Sequence, residues 1–230
     1  MKIWGVVAAL AAFVGACAPM QEIERVPEVD PKMAETFAST KAIVYERAIV
    51  RGERGDSTVT LQAGLACVPQ AQAHARSGQY AATDQEYENA FQEEFARAGY
   101  RVAQTVGSGD LFTDKKDIPA DFRIAGVVTR PKMNVCFPMA GFGNFSTGTG
   151  EASMTVEWQV YSNTQRAVVY TSVQKGYAKI ASSMPSPSRE LWREAFARAV
   201  RGLLADQKFI ELMNGAPTTP VVSRGSHPRG

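Results

Sequence analysis

The feature that most constrains this chain is the run from Glu151 to Tyr161. Ala152, Met154, Val156, Trp158 and Val160 alternate with Ser153, Thr155, Glu157, Gln159 and Tyr161. A strict period of two puts the first set on one face of a strand and the second on the other, whereas a helix would scatter both around its axis. Ser162-Asn163-Thr164-Gln165 follows, and these residue types favour turns. Ala167 to Ala178 reads as a second strand, so a hairpin is predicted. Its apolar face requires a cover, which helices elsewhere in the chain must supply.

Two segments have the pattern for that role. Thr83 and Glu86 have capping-box spacing, in which each side chain satisfies a backbone N–H of the first helical turn. Beyond them Tyr87, Ala90, Phe91, Phe95 and Ala98 share one helical face, and Gly99 is a natural stop. The second helix is predicted over 188–205, with Ser186 at its cap and Pro187 in its first position. Leu191, Trp192, Ala195, Phe196, Ala199, Val200, Leu203 and Leu204 form its apolar stripe. Trp158 and Trp192 are expected in the core between sheet and helix.

Further strands are expected over 43–50, 57–61, 100–105 and 120–130, the last ended by Pro131. Phe209 to Met213 reads as a short edge strand, residues 32–42 as a short helix, and 66–82 as irregular. The chain is 45% hydrophobic and 21% charged, which excludes a disordered polymer and a multi-span membrane protein. The formal charge of +2 is too balanced for a nucleic-acid binder, which would carry a basic stripe.

The N-terminus gives an address. Lys2 precedes an apolar stretch from Ile3 to Phe13, and Val14-Gly15-Ala16-Cys17 follows. The whole apolar run ends at Cys17; as a helix it would cover roughly 22 Å, short of the ~30 Å hydrocarbon core. A cleaved secretory signal is therefore predicted rather than a transmembrane helix. Val-Gly-Ala-Cys resembles a bacterial lipobox. That resemblance implies a diacylglyceryl thioether on Cys17, cleavage before it, and acylation of the freed amine by a fatty acid such as palmitate. Ala18 stands where an aspartate would imply retention at the inner membrane, so the expected location is the periplasmic face of the outer membrane. Pro19, Pro27 and Pro31 suggest an extended tether.

After lipidation of Cys17 only Cys67 and Cys136 remain, and an even pair in an exported domain predicts a disulfide. No spacing resembles a redox-active motif.

Catalytic material is sparse. His74 is the one histidine within the domain, and His227 lies in the tail. No nucleophile elbow is present, and no His/Cys cluster has metal-ligand spacing. No cofactor, metal or catalytic residue is expected. Asp110, Asp114, Asp117, Asp121 and Glu157 are available for paired-carboxylate chemistry, although spacing does not show that any two converge. Residues 141–150 are glycine-rich but lack the lysine and following helix of a phosphate loop, and read as a flexible loop. Within it Phe142 and Phe145 are candidate partner contacts. Arg193, Arg198 and Arg201 are candidates for an anionic glycan, lipid head group or acidic partner; the simpler reading is a solvated face partly neutralised by Glu190 and Glu194.

Trp158-Gln159-Val160-Tyr161 with Arg166-Ala167-Val168-Val169-Tyr170 and the helix at 188–205, together with Gly64-Leu65-Ala66-Cys67, Gly99-Tyr100 and Asn134-Val135-Cys136, resembles a pattern of bacterial envelope lipoproteins. It is similar to the α/β domains of the curli-secretion lipoprotein CsgG, the synthase activator LpoB and the N-terminal part of TolB. It also resembles a lipoprotein-type domain that precedes trypsin-like proteases. The resemblance implies an accessory or scaffolding role without catalysis.

The expected organisation is a signal peptide over 1–16, a lipidated tether over 17–39, one domain over 40–213 and a disordered tail over 214–230. The domain is expected to be α+β, a largely antiparallel sheet with two amphipathic helices packed on one face. Expected partners are the membrane, through the lipid, and another envelope protein or peptidoglycan contacted by loops 106–119 and 137–150. The alternatives are an envelope enzyme acting on glycan or peptide, and a subunit of an oligomeric secretion or motor ring.

Overall fold

The computed structural model describes residues 21–35, 38, 40–51, 58–74, 82–103 and 119–215. The signal segment, Cys17, most of the 106–119 loop and the tail beyond Gly215 lie outside the described residues.

The hairpin read from the period-two run is present and longer than the pattern announced. Strand β6 spans Thr147–Ser162 and β7 spans Ala167–Pro185, paired antiparallel almost throughout. Helix α1 spans Asp84–Arg97 with the predicted capping box at Thr83 and Glu86. Helix α2 spans Pro187–Ala205. Both pack on one face of the sheet. Phe91 of α1 and Phe196 of α2 flank the Trp158 indole, with ring centroids 6.2 and 5.5 Å away. Trp158 and Trp192 are fully buried in this core, as expected.

The sheet is mixed, which corrects the largely antiparallel expectation. Strands β1 (Ala42–Val50) and β2 (Val59–Ala63) both run parallel to β5 (Phe122–Phe137) along the same edge, one after the other. Strand β6 occupies the other edge of β5. Strand β4 (Arg101–Val102) lies parallel beside β1, and β3 (Val68–Ala73) lies antiparallel beside β2. Period two is blind to strand direction. Parallel neighbours need a long crossover, and the α1 segment supplies one.

Pro131 does not end β5. The register against β6 shifts between Thr129 and Lys132, one extra residue on the β5 side, and Arg130 takes φ 47°. A bulge is one of the few strand positions where a missing N–H costs no ladder bond. On the other edge β1 ends opposite Val128 and β2 begins opposite Met133, so the bulge sits where the neighbour changes.

Two further expectations are corrected, and a third in part. Residues 66–82 are not wholly irregular, because they contain β3. Gln207–Met213 is a third helix, α3, not an edge strand: Asp206 accepts from the N–H groups of Lys208 and Phe209, and Phe209, Leu212 and Met213 are buried on one side. Ser186 occupies the cap of α2 and Pro187 its first position, as predicted, with Ser186 in a left-handed conformation and without a side-chain capping hydrogen bond. Of the expected helix over 32–42, residues 32–35 are irregular, Ala38 and Thr40 are helical, and β1 begins at Ala42.

The glycine-rich stretch is only partly a loop. Gly148 and Gly150 lie in β6, where a Cβ would meet the carbonyls of Cys136 and Asn134 at 2.3 Å and press on Pro187 and Leu191 of α2. Residues 21–35 carry no regular secondary structure and lie against the body of the domain. The Asn134 side-chain amide donates to the Gln21 carbonyl (2.8 Å), and the Ala34 N–H donates to the Ala98 carbonyl (2.7 Å). Between these points the segment crosses from the sheet face opposite the helices to α2, with Lys175 paired to Glu24 and Glu28 paired to Arg201.

Candidate functional site

At one end of the sheet, where β2 and β5 finish and β3 and β6 begin, two loops come together. The β2–β3 turn uses left-handed backbone at Gly64 (φ 76°) and Cys67 (φ 49°), closed by the Cys67 N–H donating to the Gly64 carbonyl at 2.9 Å. The Gly64 N–H donates to the Phe137 carbonyl at 3.2 Å. Parallel pairing of β2 with β5 sets Gln62 opposite Cys136, and this brings Cys67 to it. The predicted disulfide is formed, with Cα atoms 5.4 Å apart.

The β5–β6 loop folds on itself. A single 3₁₀ turn covers Ala140–Phe142, Gly143 takes φ 80°, and the Asn144 carboxamide oxygen accepts from both the Ser146 N–H (2.9 Å) and its hydroxyl (2.8 Å). This ordering leaves Phe142 80% and Phe145 64% exposed, with Met139 also outward. Across the disulfide Leu65 stands 84% exposed at the apex of its turn. Phe145 approaches Phe137 in a tilted geometry with centroids 6.0 Å apart. Residues 58–74 and 133–150 contain no Asp, Glu, Lys or Arg. The end of the domain is thus an uncharged apolar tip stapled by the disulfide. Phe142 and Phe145, the candidate partner contacts, belong to it. Leu65 and Met139 were missed, although Leu65 beside Cys67 was a readable signal.

The opposite end is different. The β6–β7 turn there consists of Asn163, Thr164, Gln165 and Arg166, all polar. A cavity of about 300 Å³ opens beside the tip, lined by Phe137, Phe145, Ser146, Ser186 and Arg189 among others. Arg189 there is paired to Glu86 at 2.7 Å.

The arginines of α2 lie elsewhere, in a network of ion pairs. Arg193 holds Glu190 (2.6 Å) and Glu93 (3.3 Å). Arg198 holds Glu194 (3.1 Å) and Glu28 (3.5 Å). Arg201, mostly buried, meets Glu28 (2.6 Å), Glu194 (2.8 Å) and Glu94 (3.3 Å). The Arg201–Glu94 contact is electrostatic only, since its Nε and Oε2 are not aligned as a hydrogen bond. Burial alone would raise the Glu194 carboxyl, but hydrogen bonds and charge from Arg201 and Arg198 outweigh it and hold it below its ordinary 4.5. These cations are paired within the chain, by Glu28, Glu93 and Glu94 as well as by Glu190 and Glu194, and Arg198 and Arg201 tie Glu28 of residues 21–35 to α2.

The described carboxylates singled out in the sequence, Asp121 and Glu157, are not brought together. Asp121 accepts from the Ala42 N–H at 2.7 Å and precedes the start of β5. Glu157 lies opposite Val127, five residues along β6 from Ser162, the partner of Phe122. At ~3.3 Å per residue that is roughly 16 Å of strand, beyond the ~9.5 Å that an inverting pair spans. Asp110, Asp114 and Asp117 lie outside the described residues. His74 is at the exposed end of β3. Among the described residues no helix is long and apolar enough to cross a membrane, and no His/Cys/Asp/Glu group has metal-site geometry.

No protein-family model matches this chain, and no curated protein matches it by sequence. Solved structures are similar at low identity. A protein of the DUF330 family from Xanthomonas campestris matches with a TM-score of 0.40 and 12% identity, covering 78% of this chain and 90% of that one. The PelC dodecamer from Paraburkholderia phytofirmans gives 0.32 and 10%, covering 77% and 97%. A minor lipoprotein from Acinetobacter baumannii gives 0.28 and 11%, covering 78% and 98%. At such scores the likenesses carry no argument about this chain, whose role is read from its own residues.

Proposed function

We propose that this chain is a non-catalytic lipoprotein of the bacterial cell envelope, held through Cys17 at the periplasmic face of the outer membrane. It acts as a binding, scaffolding or assembly accessory, and its apolar tip is the surface that meets another envelope component. The resemblance to envelope domains of the CsgG, LpoB and TolB type frames this role.

The Cys67–Cys136 disulfide is the observation that carries the reading. Such a bridge persists in an oxidising compartment and not among reduced cytosolic thiols. The lipobox-like Val14–Cys17 sequence names the route there. A platform role is supported by the way the exposed loops are braced: one by the disulfide, the other by the Asn144 turn. A role without catalysis is supported by the use of the buried charges, Glu94, Glu194 and Arg201, in structural pairs.

The test is production of the full chain in a bacterium with intact lipoprotein processing, followed by fractionation and mass measurement of the N-terminal peptide. Cys17 should carry a diacylglyceryl group, and Cys17→Ser should leave the protein unprocessed or released from the membrane. An unmodified mature N-terminus, or an intact leader in the cytosol, overturns the proposal.

A further inference from the structure

We infer that the Leu65–Met139–Phe142–Phe145 tip is seated in the lipid interface of the same membrane that holds Cys17. This rests on the lipoprotein reading above and names what the tip meets. Three observations carry it.

Reach is the first. The Gln21 carbonyl is held by the Asn134 side chain, so the chain leaves the domain at that point of β5. Cys17 is four residues earlier. Four residues span at most about 14 Å when fully extended. Along β5, Phe137 lies three residues beyond Asn134, or about 10 Å; Phe122, at the other end, lies twelve residues back, or about 40 Å. A lipid on Cys17 can therefore lie level with the tip, but it cannot approach the polar β6–β7 turn. Of the two ends of the domain, only the tip lies within reach of the membrane at Cys17.

Chemistry is the second. Neither loop carries a formal charge, so seating them in the interface desolvates none. Leu, Met and Phe are the side chains that interfacial segments lower roughly 5–10 Å into the boundary between head groups and acyl chains. Rigidity is the third. The disulfide fixes the two loops side by side, so the side chains enter together with little further loss of conformational freedom.

The experiment places an indole at the tip. Trp158 and Trp192 are fully buried, so Phe142→Trp adds an exposed reporter at a position where no packing is disturbed. The full lipidated protein is reconstituted into phosphatidylethanolamine–phosphatidylglycerol vesicles containing lipid brominated near the head group. The expected result is a blue shift and loss of the greater part of the added emission. Leu65→Trp should report the same from the other loop, and Thr164→Trp, at the opposite end, should remain unquenched. A protein that floats with the vesicles while the indole at 142 or 65 stays water-exposed overturns the inference and leaves the anchor standing. So does equal quenching at 164. Failure to float, with no lipid found on Cys17, overturns the anchor reading instead.

Discussion

Gly176 gives the sharpest test of how the hairpin and α2 fit together. It lies in β7 beneath α2, and a Cβ built there would sit 1.7 Å from the Ala195 carbonyl oxygen, 2.8 Å from its carbon and 3.1 Å from the Ala199 nitrogen. These are backbone atoms of a helix interior and cannot rotate away. Restoring even a 3.0 Å contact requires α2 to lift from the sheet by more than an ångström, along the face where Trp192, Phe196 and Val200 are buried. Overpacking a core costs typically about 1–3 kcal/mol, and a rigid backbone obstacle belongs at the top of that range or above it. Gly176→Ala should therefore destabilise by about 3 kcal/mol or more, lowering Tm by roughly 6–12 °C for a domain of this size. Gly202 is the control. It lies within α2, and its added methyl would meet only the Gln174 side chain, at 2.8 Å from Oε1. That side chain can move, and replacing a helix-interior glycine by alanine is worth about 1 kcal/mol in the other direction. Gly202→Ala should be neutral or stabilising. Urea unfolding of both variants against the parent decides the matter. Equal effects, or a loss below about 1 kcal/mol at Gly176, would refute the close approach of β7 to α2.

Two further outcomes follow from features already described. Opening the Cys67–Cys136 bridge, with its sequence separation of 69, should cost about 4 kcal/mol by loop-closure entropy, read as the difference in unfolding free energy between oxidised and reduced protein; a difference below about 1 kcal/mol would count against it. The Glu194 carboxyl is held below 4.5 in the folded protein, because Arg201 and Arg198 outweigh its burial. A depressed carboxylate contributes stability that is complete above its unfolded value and lost as pH falls through the folded one. Unfolding free energy should thus decline as pH drops below about 4.5, and the gap between the parent and Glu194→Gln should narrow over the same interval; a gap constant down to pH ~2 would refute the pairing.

What the sequence made legible was governed by local periodicity. The β6–β7 hairpin, the α1 capping box and the α2 stripe all repeat within a few residues, and each lies where its pattern put it. What it hid depends on partners far along the chain. Pro131 stops an isolated strand but not one with a bulge at a change of neighbour. Phe209, Leu212 and Met213 have the i, i+3, i+4 spacing of one helical face, and only the shortness of the segment lets it pass for a strand until Asp206 supplies the cap. Strand direction leaves no trace in an alternating pattern. The two aromatic candidates in the 137–150 loop were legible because a loop exposes what it carries. The arginines were ambiguous because their carboxylates, Glu28 and Glu94, lie 173 and 107 residues from Arg201 in sequence.

Strand β5 takes β1 along its first half and β2 along its second. As the chain is threaded out of the cytosol, both earlier strands, and α1 with them, emerge well before residue 122, their natural mate. Until then each offers an open edge and an uncovered apolar side. Pairings of such long sequence separation form slowly, and the waiting segments are prone to aggregate. Oxidation of Cys67 must wait for the same strand, because Cys136 lies within it. Maturation of this protein therefore turns on one late event, and anything that shields the nascent N-terminal half until β5 arrives should raise the yield of native molecules.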